Sequence, residues 1–169
     1  MSRVGKKPIE IPEGLKVEIE KQEAKISGPK GEIIQEIHPR IEVVIKDGRA
    51  FVSPKKGRDS LSAKNRSLWG LFRSLLQNAI IGVSQGFEKK LEITGIGYKA
   101  AVESKDLILN VGFTHPIKII APEGINFSVE KNIITVSGVN KQKVGEMSAE
   151  IRKIRKDDPY KGKGIKYVG

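Results

Sequence analysis

The sequence contains no cysteine, which removes disulfides and thiolate metal sites and fits a reducing, cytosolic compartment. Histidine is almost as scarce. His38 and His115 are the two in the chain, each followed by proline, and there is no i, i+4 His pair or clustered aspartate motif of the kind that builds a metal or acid–base site. No G-x-S-x-G elbow and no G-x-x-x-x-G-K-[ST] loop is present. No apolar run approaches the roughly 20 residues of a membrane span. The opening residues, MSRVGKKPIEIPEG, lack the apolar core of a secretory signal. The expectation is a protein that is not an enzyme, takes no cofactor or metal, and does not engage a membrane.

What the sequence has is positive charge. Over 169 residues, 31 Lys and Arg stand against 20 Asp and Glu, a formal +11. Charge of this kind reports on partners rather than fold. Its placement is uneven: residues 1–7 carry +3, 8–52 carry −2, 53–84 carry +5, 85–151 are neutral and 152–169 carry +5. Charge serving solubility alone would be spread with both signs interspersed. Concentration into an N-terminal arm, a central segment and a tail points to a polyanion, nucleic acid ahead of an acidic membrane surface.

The chain also repeats itself. His-Pro occurs at His38-Pro39 and His115-Pro116, each before an apolar run ("IEVVI", "IKII"), and each run is followed by a turn, a short β run ending in Val-Ser, and a helix. The copies lie 77 residues apart at His-Pro and 84 at Val52-Ser53 and Val136-Ser137, which suggests a seven-residue insertion around "PEGINFS". In the first half "KVEIE", "AKIS" and "GEIIQEI" read as strands, and "IEVVIKDGRAFVS" as a hairpin turning at Asp47-Gly48. Asp59 or Ser60 is placed to cap a helix whose stripe is Leu61, Leu68, Phe72, Leu75, Leu76 and Ala79, with Gly82 at its end. The second half gives "FEKKLEIT", "YKAAVES", a Lys105-Asp106 turn, "LILNV", "IKII", "INFSV", a Lys131-Asn132 turn and "IITVS". Asn140 then caps a helix striped by Val144, Met147, Ile151 and Ile154. The fold class is α+β: two tandem similar domains, each a small, mainly antiparallel sheet with one helix packed on it. Residues 1–82 form the first, with a basic arm, and 83–169 the second, with a basic tail.

Two glycine motifs invite other readings. "GIGYKA" (95–100) has the G-x-G-x-x-A form of a dinucleotide loop, but a strand follows it and Lys118 stands where an acid is needed. "GPKG" (28–31) matches a KH clamp, yet it joins two strands and reads as a hairpin turn.

The basic segments form the candidate interface. Arg3, Lys6 and Lys7 lie in the arm; Lys55, Lys56 and Arg58 precede the first helix, and Lys64, Arg66 and Arg73 lie on it. Arg66 and Arg73, seven apart, share a helical face directed away from the stripe and without acidic i±4 partners. Arg152, Lys153, Arg155 and Lys156 close the second helix, ended by Pro159. The helix dipole accounts for one or two of them. Beyond, Tyr160 and Tyr167 suit base stacking, and Lys161-Gly162-Lys163-Gly164 alternates charge with residues that let the backbone approach a surface, a tail suited to ordering on contact.

The tail "DDPYKGKGIKY", with "SRVGKKPI", "GPKG", the His-Pro pairs and "GIGYKA", resembles the bacterial large-subunit ribosomal protein L6 family, in order and over nearly the whole chain. Asp157 departs from the Pro or Ser usual there. The resemblance implies two duplicated α+β domains in a structural constituent of the cytoplasmic ribosome. It implies binding to large-subunit ribosomal RNA beside the sarcin–ricin loop, near the stalk base, its neighbouring ribosomal proteins and docking translational GTPases. By matching position it assigns RNA contacts to Gly95, Gly97, Tyr98 and Lys99, and to Tyr160, Lys161, Gly162, Lys163, Gly164 and Lys166. The alternative is a free-standing architectural nucleic-acid-binding protein or RNA chaperone.

Overall fold

A computed structural model describes residues 5–55 and 62–168. The chain divides between Gln85 and Gly86 into two compact units. In the first, β1 (Ile9–Glu10), β2 (Lys16–Glu20), β3 (Glu23–Gly28), β4 (Gly31–Glu36), β5 (Ile41–Lys46) and β6 (Arg49–Pro54) precede α1 (Ala63–Ser84). The second carries β7 (Phe87–Thr94), β8 (Lys99–Glu103), β9 (Asp106–Asn110), β10 (Ile117–Ile119), β11 (Ile125–Glu130), β12 (Ile133–Gly138), α2 (Lys141–Ile154) and β13 (Gly164–Tyr167). Among the described residues all strand ladders are antiparallel, and each unit has two small sheets rather than one. Their orders are β1-β6-β5 with β2-β3-β4, and β11-β12-β7-β13 with β10-β9-β8. Aligned in order, β1 to β6 and α1 correspond to β7 to β12 and α2. Among the described residues β13 has no counterpart.

This correspondence supports the duplication and corrects its registration. Val52-Ser53 and Val136-Ser137 occupy equivalent strands, β6 and β12. His38-Pro39 precedes β5, whereas His115-Pro116 precedes β10, the counterpart of β4. The His-Pro match is a coincidence of dipeptides, and "PEGINFS" is no insertion but the entry to β11, equivalent to β5. The same turn leads into both: Ile41 N–H donates to the His38 carbonyl at 2.8 Å and Ile125 N–H to that of Pro122 at 3.1 Å.

The hairpins follow their turn residues. Asp47 and Gly48 both have positive φ (49° and 69°), as the strand twist requires of a two-residue turn. "GPKG" is a hairpin too, with Gly28 opposite Gly31. A Cβ on Gly28 would meet the Leu15 and Val83 side chains at 2.2 and 2.6 Å, so glycine here lets α1 pack down, and Lys30 N–H caps the Val83 carbonyl at 3.1 Å. In the second unit Ser104, at φ 59°, leads a turn over Ser104-Lys105, one residue earlier than expected. Asp106 therefore belongs to β9, where it meets Lys118 Nζ at 3.1 Å and accepts the Ala121 N–H at 3.2 Å.

Helix α1 is capped by Ser62, whose hydroxyl accepts the Asn65 N–H; Asp59, Ser60 and Leu61 lie outside the described residues. It runs past Gly82 to Ser84, and Gly86, at φ 80°, supplies the left-handed residue after the Gln85 cap. Its buried face is Asn65, Trp69, Arg73, Leu76, Ile80 and Val83. That face is turned from the expected stripe, leaving Leu68, Phe72 and Leu75 half-buried on its flank. Trp69 sets the rotation: its ring lies under Gly5, and its indole N–H donates to the Val52 carbonyl.

The second core gathers Leu91, Ile93, Leu107, Leu109, Phe127, Ile134, Val136, Val144, Ile151 and Ile165. Asn140 caps α2, accepting from Gln142 and Lys143 N–H, and the α2 stripe lies as expected. The helix stops at Ile154, five residues before Pro159, because the next residues turn to the tail: the Arg155 carbonyl accepts the Ile165 N–H at 2.8 Å. β13 pairs with β7 from Gly164↔Thr94 to Tyr167↔Leu91. A tail read as ordering on contact is thus a strand, with Ile165 wholly buried.

Ile165→Ala is expected to destabilise the second unit by about 2–5 kcal/mol, and Ile165→Val by about 0.5–1.5 kcal/mol, in denaturant unfolding. The hydrogen bond from Lys118, and then the Ala121 N–H, hold the Asp106 carboxyl below its ordinary value. A lowered folded-state pKa contributes stability that is present above the unfolded value and lost as pH falls through the folded one. Asp106→Asn should therefore be the less stable protein at pH 6 and show a flatter loss between pH 5 and 3.

Candidate nucleic-acid interface

In the second unit, three separate stretches line one groove of about 500 Å³: Ile96 and Tyr98 from the β7–β8 loop, Ile154, Arg155 and Lys156 from the end of α2, and Asp158, Lys161 and Lys163 from the turn before β13. Four of the eight lining side chains are cations and one is an acid. The Asp158 side chain caps its own turn by accepting the Tyr160 N–H at 2.9 Å, while its backbone brackets the turn through Gly162 N–H (2.7 Å) and the Lys163 carbonyl (2.9 Å). The four cations remain in solvent, and among the described residues none of them pairs with a carboxylate. Cationic ends without carboxylate partners are what an anionic backbone requires.

The groove keeps its shape through glycines. Gly162, at φ 64°, makes the turn, and Gly164 lies buried where two chain segments cross. A Cβ there would stand 2.5 Å from Asp157 Cα, so Gly164 serves the crossing rather than a bound surface. Asp157 receives Arg152 Nη2 at 3.3 Å. Tyr98 sits beneath its loop, against Gly95 and Gly112, where added Cβ atoms would lie 2.6 and 3.1 Å from its ring. Lys99 is exposed at the start of β8.

Other expected contacts separate from this group. Tyr167 is half-buried, with Lys89 Nζ 5.1 Å and the Arg152 guanidinium 5.5 Å from its ring centre, so it stacks within the protein. Lys166 reaches Glu92 at 3.2 Å. Lys153 is exposed on α2, and Tyr160 is 96% exposed at the turn tip. Ile96 was missed, although its place between two glycines in a loop was the available signal.

In the first unit Lys6, Lys7, Lys55, Lys64 and Arg66 are exposed; Arg3, Lys56 and Arg58 lie outside the described residues. Arg73 does not share Arg66's surroundings. It is 9% exposed, donates Nε–H to the Lys7 carbonyl at 3.3 Å and bonds the Gln77 amide oxygen. It thereby fixes the strand-entry segment that carries Lys6 and Lys7. Among the described residues no group of three or more His, Cys, Asp or Glu is placed to hold a metal, and no helix is long and apolar enough to cross a membrane.

The family model for Ribosomal protein L6 matches the chain twice, over residues 11–86 and 94–168, one match in each unit. The large ribosomal subunit protein uL6 of Nitratiruptor sp. is 52% identical over 170 residues, covering 99% of this chain and 92% of that protein. Its namesake in Maridesulfovibrio salexigens is 48% identical (99% and 93% covered), and that of Beijerinckia indica 45% (100% and 94%).

The two arginines of α1 are expected to behave oppositely. Arg73→Ala should cost about 1–3 kcal/mol of stability through lost buried hydrogen bonds, while Arg66→Ala stays within about 0.5 kcal/mol. Thermal melting of both variants checks this.

Proposed function

The chain belongs to the ribosomal protein L6 family and is a structural, non-enzymatic constituent of the large ribosomal subunit; from that premise we propose that it clamps large-subunit ribosomal RNA beside the sarcin–ricin loop, near the stalk base where translational GTPases dock. The observation that carries this reading is that Arg155, Lys156, Lys161 and Lys163, all within residues 155–163, line one groove whose other wall, Ile96 and Tyr98, comes from the sequence-distant β7–β8 loop. The sheets and helices are the mount. The groove offers phosphates a cluster of exposed cations carried on a hydrogen-bonded turn, and each contact releases counterions from the RNA. A-form RNA presents its phosphates and 2′-hydroxyls across a wide, shallow minor groove, so a fixed array of this kind reads shape before sequence. Lys64, Arg66 and the Lys6–Lys7 segment are further exposed cations of the first unit, available to other RNA segments of the same subunit. Lys153, Lys99 and Tyr160, exposed outside the groove, are further contacts to the same RNA. Neighbouring ribosomal proteins at the stalk base meet the remaining surface.

Crosslinking in intact cells, with the attached RNA sequenced, tests the location: crosslinks from residues 155–163 should map to the sarcin–ricin region, and crosslinks elsewhere in the subunit would move the site. In vitro, replacing Lys156, Lys161 and Lys163 together by Ala should flatten the plot of log affinity against log salt by about 2–3 units. The melting temperature should not change, since all three side chains are in solvent.

A further inference from the structure

Exposed apolar residues scattered singly are ordinary, and Ile120, Leu71 and Ile34 are of that kind. Ile96 differs by where it stands. It is 91% exposed, a branched apolar side chain on the lining of a groove whose other walls carry Arg155, Lys156, Lys161 and Lys163. The loop is built to hold it there. Gly97, at φ 78°, makes a turn that a side chain would strain, and Tyr98 wedges under the loop against Gly95 and Gly112, so the tip cannot fold back onto the core. Ile154 lines the same groove, half-buried, giving a second apolar point on its floor.

We propose that Ile96 is a shape-gauging contact for structured RNA, its side chain packing on ribose and base edges in the shallow minor groove while the surrounding cations hold the flanking phosphates. This rests on the RNA-binding reading above and adds to it the source of preference. Phosphate contacts supply affinity and register but little discrimination between helices of equal charge. A fixed apolar projection among them discriminates by depth and width. The A-form minor groove is wide and shallow enough to receive it. The B-form minor groove, about 6 Å across, is not. Apolar burial adds no charge, so this contribution leaves no trace in salt dependence.

That last property makes the test clean. The full chain and its Ile96→Ala, Ile96→Val and Lys161→Ala/Lys163→Ala variants are titrated against two probes across a salt series. One probe is a transcript of the large-subunit RNA stem-loop that bears the sarcin–ricin sequence; the other is a B-form DNA duplex of matched length. Ile96→Ala should bind the RNA about tenfold more weakly, the scale of a few methyl groups left unburied. Its salt slope should match the parent's, its DNA affinity should shift less than about twofold by the same reckoning, and Ile96→Val should recover most of the loss. The double lysine variant should lower affinity for both probes and flatten both slopes. Unaltered RNA binding by Ile96→Ala, beside a weakened lysine variant, overturns the gauge and leaves the phosphate clamp standing; Ile96 would then face a protein neighbour. Equal losses on RNA and DNA overturn it as well. Should neither the parent nor any variant bind the RNA, the clamp falls, and the gauge falls with it.

Discussion

The pairing of residues 164–167 with β7 is the interaction on which the second unit depends. β7 is one of the two interior strands of its four-stranded sheet, flanked by β12 on one side and β13 on the other. Ile165 fills the core from that side, Tyr167 packs beside it under Lys89 and Arg152, and the outward Lys166 is held by Glu92. The same pairing sets the path of everything before it. Because Gly164 must cross residues 156–157 closely, the intervening residues form a compact turn, and that turn carries Lys161 and Lys163 to the side where Arg155, Lys156 and Ile96 stand. Charge placement follows from backbone closure rather than from attraction among like-charged groups, which repel.

The two units share a topology and use it differently. In the first, a helix of 22 residues touches strands of both sheets, and its buried Trp69 and Arg73 secure the entry segment. The strand equivalent to β7 is the two-residue β1, which among the described residues pairs with β6 alone. In the second, the eight-residue β7 accepts a further strand, and the helix, at 14 residues, ends early enough to leave its last carbonyls and cations to the tail. Among the described residues the second unit thus carries one strand more than the first and, beside it, the groove.

Much of the fold was legible in local patterns. Turns with positive φ at Asp47-Gly48 and Lys131, the Asn140 cap and the α2 stripe all stand where residue chemistry puts them, since each depends on near neighbours in the chain. The errors share a cause in long-range contact. Residues seven apart share a helical face, as Arg66 and Arg73 do, but the Lys7 backbone reaches only the second, which is covered while the first stays exposed; the aliphatic stem of arginine makes such burial tolerable once its head is bonded. The tail read as solvated because nothing in eleven residues reveals a partner strand seventy positions earlier. His-Pro suggested a false registration because a dipeptide holds too little information to outweigh strand order. At the groove, the cations were visible as composition, while Ile96 and the buried duties of Tyr98 and Gly164 needed coordinates.

The β7–β13 ladder joins the first and last strands of its unit, Ile93 to Ile165. Closing so long a loop is entropically costly and characteristically late. Before that closure the lysines exist but face nowhere in common, and the cleft between loop and turn has no walls. The groove is therefore a property of the closed chain alone: its walls meet once β13 has paired with β7.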